Sequence, residues 1–257
     1  MALQRLIPIL LIENGRLVKT VRFRRPSYVG DPLNTLRIFN RLEVDEICFV
    51  DIGAARRRYP PPLSLIRELS AQAFMPISYG GGIASLDVAQ TIVEYGVEKL
   101  IVGTNAFDSP TFVERLAGKI GSQSVVCAMD VKRNLWGRWT VYVQGAQRQT
   151  RLEVRDAIRW VQSAGAGEII LTDIQREGTW LGLNRDLLEY VLPVVTVPLV
   201  LHGGAHSGAD VEAILAYPGV SGVAIGSLAV YQKKGGGVLI GYPTVQRTMV
   251  TFANPRP

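Results

Sequence analysis

Cysteine and histidine are scarce in this 257-residue chain, two of each, and no apolar run reaches membrane length. Two cysteines, Cys48 and Cys127, cannot build a disulfide scaffold; both sit in apolar runs, which predicts reduced core thiols in a cytosolic protein. His202 and His206, the only histidines, have no ligand cluster around them, so no metal is expected. The longest early apolar run, 6–12, is too short for a bilayer, and no small-residue cleavage site follows it. A soluble, cytoplasmic protein without membrane contact is therefore expected. P-loop, dinucleotide-binding and Ser-His-Asp signatures are missing as well, and no cofactor is expected. At 47% hydrophobic and 19% charged residues the chain is not disordered. Its formal charge of +6 favours anionic partners. Nucleic acid is not expected among them, because no aromatic interleaving or recognition motif accompanies the charge.

What the sequence does contain is alternation. Eight apolar, β-rich runs, at 6–12, 46–52, 76–79, 99–103, 124–130, 168–173, 198–202 and 222–226, are separated by segments with helix signals. Asp31-Pro32 and Ser109-Pro110 read as N-caps followed by proline at the first helical position. Ser207 with Asp210 resembles a capping box, and Leu63, Ile66, Leu69 and Phe74 follow one helical face. Uninterrupted apolar strands fit a parallel sheet covered on both sides. Eight such units in this length predict a single-domain (β/α)8 barrel spanning 1–257, with an open doubly wound sheet as the other option.

The chain also repeats itself. Val50-Asp51-Ile52 recurs as Thr172-Asp173-Ile174, 122 residues on, and the segment 76–85 recurs at the same spacing as 198–207. Val102-Gly103-Thr104 returns as Ile225-Gly226-Ser227 after 123. Two fused (βα)4 halves are expected. Each half carries glycines where its third and fourth strands end: Gly81, Gly82, Gly103 and Thr104 in one, Gly203, Gly204, Gly226 and Ser227 in the other, with Gly178 nearby. Glycines let backbone N–H groups approach an anion closely. Tight turns alone would also use glycine, but matched sets at strand ends favour two phosphate sites. A ligand with two phosphoryl groups would bridge them.

Asp130 ends the fifth run, and its counterpart in the first half is Leu11. General acid and general base on opposite faces need two ionisable groups, so a carboxylate pair is excluded at these positions. Asp130 is then either a catalytic group or a satisfied strand-end carboxylate near Lys19 or Lys132. Asp51, Asp173 and Glu177 are further candidates to bond ligand hydroxyls. Basic residues follow the strands: Lys19, Arg22, Arg24 and Arg25, then Arg56 to Arg58, then Lys132, Arg133 and Arg138. They read as loops that steer a phosphorylated or nucleotide-linked substrate, or as ordinary solvated charge. At the opposite strand ends Arg5, Glu46, Lys99 and Glu168 each precede an apolar run. Turned inward they form a ring of alternating charge, which is either a stabilising plug or a gate for a small neutral molecule.

GRLVKT (15–20), VDEICFVDIGA (44–54), YGGGI (79–83), GSQSVVCAMDVKR (121–133), GAGEIILTDIQREGT (165–179) and HGGA (202–205) together resemble the HisF family, the cyclase subunits of imidazole glycerol phosphate synthase. The resemblance covers nearly the whole chain. It implies two catalytic aspartates, one at Asp130 and one at the position of Leu11, and an ammonia gate at Arg5, Glu46, Lys99 and Glu168. It also implies a glutaminase docked on the barrel bottom. Three family features are altered: the aspartate at Leu11, an asparagine at Gly103, and a DRDGT loop that reads Gln175-Arg176-Glu177-Gly178-Thr179. The segments 7–40 and 237–243 are most similar to HisF-like paralogues associated with glycosyl amidation in surface-polysaccharide synthesis. That similarity implies a separate amidotransferase as a further partner.

Overall fold

Strands covered on both faces are apolar along most of their length, and the eight runs with that pattern all become strands of one closed barrel. In the computed structural model, which describes residues 2–250 except 58, 110 and 248, these are β1 (Arg5–Glu13), β2 (Ile47–Asp51), β3 (Ile77–Gly80) and β4 (Lys99–Val102), followed by β5 (Val125–Arg133), β6 (Glu168–Asp173), β7 (Leu199–His202) and β8 (Val220–Ile225). All eight are parallel; β4 pairs with β5 through Leu100 and Val125, and β8 returns to β1 through Gly222 and Arg5. The closure makes this a (β/α)8 barrel and excludes the open sheet.

Side chains alternate across each strand, so one set faces the helices and the other the bore. Leu6, Leu10, Ile12, Ile47 and Phe49 belong to the outer core under the helices, where each fully buried large apolar side chain contributes about 1.5–3 kcal/mol. Ile7, Ile9, Cys48, Ile101, Val126, Ile170, Val200 and Ala224 form a separate, smaller cluster inside.

Helices Pro32–Arg41, Leu63–Gln72, Leu86–Glu94, Phe112–Ile120, Val154–Ser163, Arg185–Val191 and Gly208–Leu215 follow the first seven strands. Local chemistry sets several of their starts. The Asp31 carboxylate accepts from Asn34 N with Pro32 in the first turn, and the Ser207 hydroxyl accepts from Asp210 N. Asp210 does not complete the expected box; it accepts from Leu183 N and His206 N and so ties the sixth loop to the seventh. After β4 a short helix, Thr104–Asp108, precedes the longer one, which starts at Phe112 with Thr111 as cap, two residues later than the Ser109-Pro110 signal; Pro110 lies outside the described residues. Phe74 lies beyond its helix and is 86% exposed, so it is no part of the apolar face that Ile66 and Leu69 form.

Two segments expected to be loops are antiparallel extensions of the barrel instead. Arg16–Val21 folds back on β1 and pairs with Arg24–Gly30; Trp139–Val143 folds back on β5 and pairs with Arg148–Glu153. Lys19, Arg24, Arg25, Lys132 and Arg133 are therefore strand residues. Among the described residues the eighth strand is followed by only a four-residue helix, Ser227–Val230. Beyond it the glycines at 235–237 and Pro243 discourage a helix. The chain continues as an extended strap. Tyr242 donates from its hydroxyl to Leu6 O at 2.8 Å and Asp45 Oδ2 at 3.0 Å, and Arg247 pairs with Asp45.

Candidate active site at the barrel mouth and its charged floor

Strands β1, β4 and β6 begin with Arg5, Lys99 and Glu168, while Glu46 immediately precedes β2. Side-chain parity turns all four into the bore, where they meet. Arg5 reaches Glu46 Oε2 at 2.5 Å and Glu168 Oε1 at 2.6 Å; Lys99 Nζ reaches one oxygen of each glutamate at 2.8 Å. The Ser78 hydroxyl donates to Glu46 Oε1 at 2.6 Å. Burial alone would raise the Glu46 carboxyl, but the charges of Lys99 and Arg5 outweigh it and hold the group below its ordinary value. Each charge thus has two opposite neighbours, the arrangement that buried charge requires.

Above the ring the bore is apolar, mainly isoleucine and valine. Ile7, Cys48, Val126, Val200 and Ala224 lead to Ile9, Val50, Ile101, Ala128 and Ile170, and these last five line the base of a mouth cavity of about 550 Å³. Burial raises the Cys48 thiol well above its ordinary value and Cys127 to about 12, so neither is a thiolate at neutral pH. Asp130, Leu11, Thr172, Glu177 and His202 line the same cavity, as do Gly81, Gly82, Gly103 and Thr104. The other glycine set, Gly178, Gly203, Gly204 and Gly226, lines a smaller cavity with Lys19, Ser227 and His202. His202 is common to both.

The glycines are required where they stand. Gly81 and Gly203 take φ of 112° and 106°, and a Cβ on either would strike the carbonyl oxygen of Asp51 or Asp173. Those two aspartates are engaged by their own loops. Asp51 Oδ1 accepts from Ala54 N and the Tyr59 hydroxyl, while Asp173 accepts from Gln175 N and Asn184 Nδ2. The Thr104 hydroxyl accepts from Gln144 N at 2.9 Å. Lys19 is buried in an ion pair with Glu177, whose carboxylate also accepts from Thr20 Oγ1 and Phe23 N. That pair joins the β1 extension to the loop after β6. Among the other basic residues, Arg56 lines the mouth cavity and donates to Phe23 O, Arg57 donates to Asn14, and Arg58 lies outside the described residues.

Asp130 has neither lysine as partner; among the described residues no cation pairs with it. Burial, and secondarily the charge of Glu177, lifts its carboxyl to about 7 against a hydrogen bond from Thr172. A carboxyl in that range exchanges a proton readily at neutral pH, which suits acid–base work. His202 moves the other way: burial lowers it to about 4, and its Nδ1 lies 3.2 Å from the Thr172 hydroxyl. An NMR titration is expected to find the His202 ring neutral until the pH falls to about 4. Stability should then fall with acidification between about 6.5, where the unfolded ring protonates, and 4. A ring that titrates near 6.5 would contradict its burial. Among the described residues no three His, Cys, Asp or Glu side chains gather as metal ligands would.

Phe23, Tyr59 and Tyr142 also line the mouth, and the sequence did not single them out. Phe23 and Tyr142 arrive on the two antiparallel extensions, so recognising those strands was the only route to them.

The histidine biosynthesis protein family model matches residues 5–235. The chain belongs to that family. It is 42% identical over 250 residues to a Pseudomonas aeruginosa protein provisionally named imidazole glycerol phosphate synthase subunit hisF2, covering 96% of this chain and 98% of the relative. A Leptospira interrogans protein, provisionally named imidazole glycerol phosphate synthase subunit HisF, is 40% identical over 240 residues, 93% and 94% of the two chains. The imidazole glycerol phosphate synthase subunit HisF of Alkaliphilus metalliredigens is 37% identical over 210 residues, 82% and 83%. This family member is thus a HisF-like barrel, and none of its described helices is long and apolar enough to cross a membrane.

Proposed function

We propose that this chain is the barrel subunit of an ammonia-channelling glutamine amidotransferase, acting in the cytoplasm. A glutaminase docks on its floor, and the ammonia leaves at the mouth for a separate amidotransferase that converts an N-acetyl sugar to its amidine for bacterial surface polysaccharide. One contrast carries this reading. The ring of Arg5, Glu46, Lys99 and Glu168 is complete, whereas the position on β1 that corresponds to Asp130 holds Leu11, and the other carboxylate of that cavity, Glu177, is already ion-paired with Lys19. A small neutral molecule passing the ring would enter a bore of apolar side chains, where neither charge nor strong hydrogen bonding would hold it. The glycine sets and the basic rim suit a phosphorylated or nucleotide-linked ligand.

The cyclase reaction itself is the second reading. The Asp130 carboxyl near 7 favours it, since a group poised at neutral pH serves as acid and base in turn. Complementation of a cyclase-deficient histidine auxotroph separates the two. No growth is expected; growth would overturn the first reading. Leu11→Asp alone is expected to leave cyclase turnover at least about 100-fold below that of a family cyclase, within the range one acid–base group contributes. Gly103 and the 175–179 loop also differ from the family pattern, and a carboxyl at position 11 would join the apolar lining of Ile9 and Val50. Full turnover in Leu11→Asp would place the whole defect at one side chain.

A further inference from the structure

The two antiparallel extensions at the mouth carry an unusual share of the molecule's charge. Segments 16–30 and 132–151 together hold ten of the 28 basic residues and none of the 22 acidic ones. Among the described residues, carboxylates from elsewhere pair with two of the ten, Glu177 with Lys19 and Asp108 with Arg148. Yet a large apolar pair projects from this basic rim: Leu135 is 99% exposed and Trp136 84%. Tyr28 and Val21 are exposed on the other extension.

The turn that displays Leu135 and Trp136 is built rather than loose. The Asn134 side-chain oxygen accepts from Trp136 N at 3.0 Å and Arg138 N at 2.9 Å. Asn134 N donates to Arg138 O, Gly137 N donates to Asn134 O, and Arg133 Nε donates to Gly137 O. Arg133 also stacks over Trp139, which is buried at the root of the same hairpin. A convex apolar knob held in one conformation loses little entropy on binding and has the composition of an interface anchor. Its shape excludes a small molecule as the occupant, because a protruding knob needs a socket.

We propose that these extensions are the docking surface for the protein that consumes the nitrogen, a partner whose face carries an apolar socket rimmed by carboxylates. The inference rests on nitrogen delivery through the barrel, as proposed above. Ammonia leaving the mouth escapes to water unless the acceptor seals around that rim, and the cations surrounding the knob set the sign of the sealing surface. A bilayer would match the charge but offers no acceptor for the nitrogen.

A benzophenone-bearing amino acid in place of Trp136, compared with one in place of Phe74, tests this in cells of the native host. Phe74 is equally exposed but lies in the turn before β3, on the floor side. Position 136 is expected to capture an acidic-faced protein absent from the adducts at position 74. With both proteins purified, Leu135→Ser combined with Trp136→Ser should weaken that complex at least about tenfold, leave the thermal midpoint unchanged, and leave intact the complex formed at the floor. Raising salt should weaken the wild-type complex as well. Lipid adducts at position 136, salt-sensitive binding to vesicles of anionic phospholipid with no protein adduct, or no adduct there while position 74 captures its partner, would overturn the docking surface and leave the channel standing. A protein at position 136 combined with no glutaminase at position 74 would instead defeat the channel and keep the surface.

Discussion

Lys99→Ala is expected to lower glutamine-driven amidation at least about tenfold while ammonia-driven turnover stays within about twofold, a loss within the usual range of coupling between sites. Lys99 bridges both glutamates of the floor ring at 2.8 Å, so its removal leaves Arg5 facing two carboxylates and changes what a molecule entering from below must pass. The mouth cavity, where ammonia supplied in solution arrives, does not include Lys99. Breaking a buried ion pair also costs stability, about 3 kcal/mol here because Arg5 still compensates part of the charge. Lys99→Arg keeps the charge and should restore most of the coupling, which separates a role in passage from one in folding. Equal loss of both activities in Lys99→Ala would mean that the ring is a structural plug.

Asp130→Asn is expected to stabilise the folded protein at pH 8 by about 4 kcal/mol, the cost of ionising a carboxyl held near 7 when its unfolded value is near 4. The sign follows from proton binding. Between pH 4 and 7 the folded state keeps a proton that the unfolded chain has released, so this group's contribution falls as pH rises through that window. The gain in the variant should therefore vanish below about pH 4 and be complete above about pH 7. Denaturant midpoints at a series of pH values measure it. A gain that does not change with pH would show that Asp130 carries no raised carboxyl. Any activity that requires Asp130 should be lost in the same variant, so a stabler but inactive protein is the predicted pairing.

Much of this was legible because barrels write their geometry into parity. Arg5, Ile7, Ile9 and Leu11 alternate with Leu6, Leu10 and Ile12, and the same alternation elsewhere made the floor ring readable from strand starts alone. The glycines at strand ends were legible for a similar reason, since their backbone geometry admits nothing larger. The extensions were not, because 16–30 and 132–151 are rich in arginine and their pairing is enforced by β1 and β5, not by their own composition. Nor was the bond from Lys19 to Glu177, which spans 158 residues and exists only because one extension lies against the loop after β6. The strap after residue 230 departs from the eight-fold pattern through its glycines and Pro243, and it takes the hydroxyl of Tyr242 down to Leu6 near the floor. Phe74 failed for the opposite reason: helical spacing continued on paper past the residue where the helix stops.

Nitrogen passage from floor to mouth is tested most directly by isotope competition. The complex assembled from this chain, its floor partner and its mouth partner would be supplied with amide-labelled glutamine and an excess of unlabelled ammonium. Product that carries the label undiluted is the predicted result; label diluted to the proportion in bulk solution would contradict it.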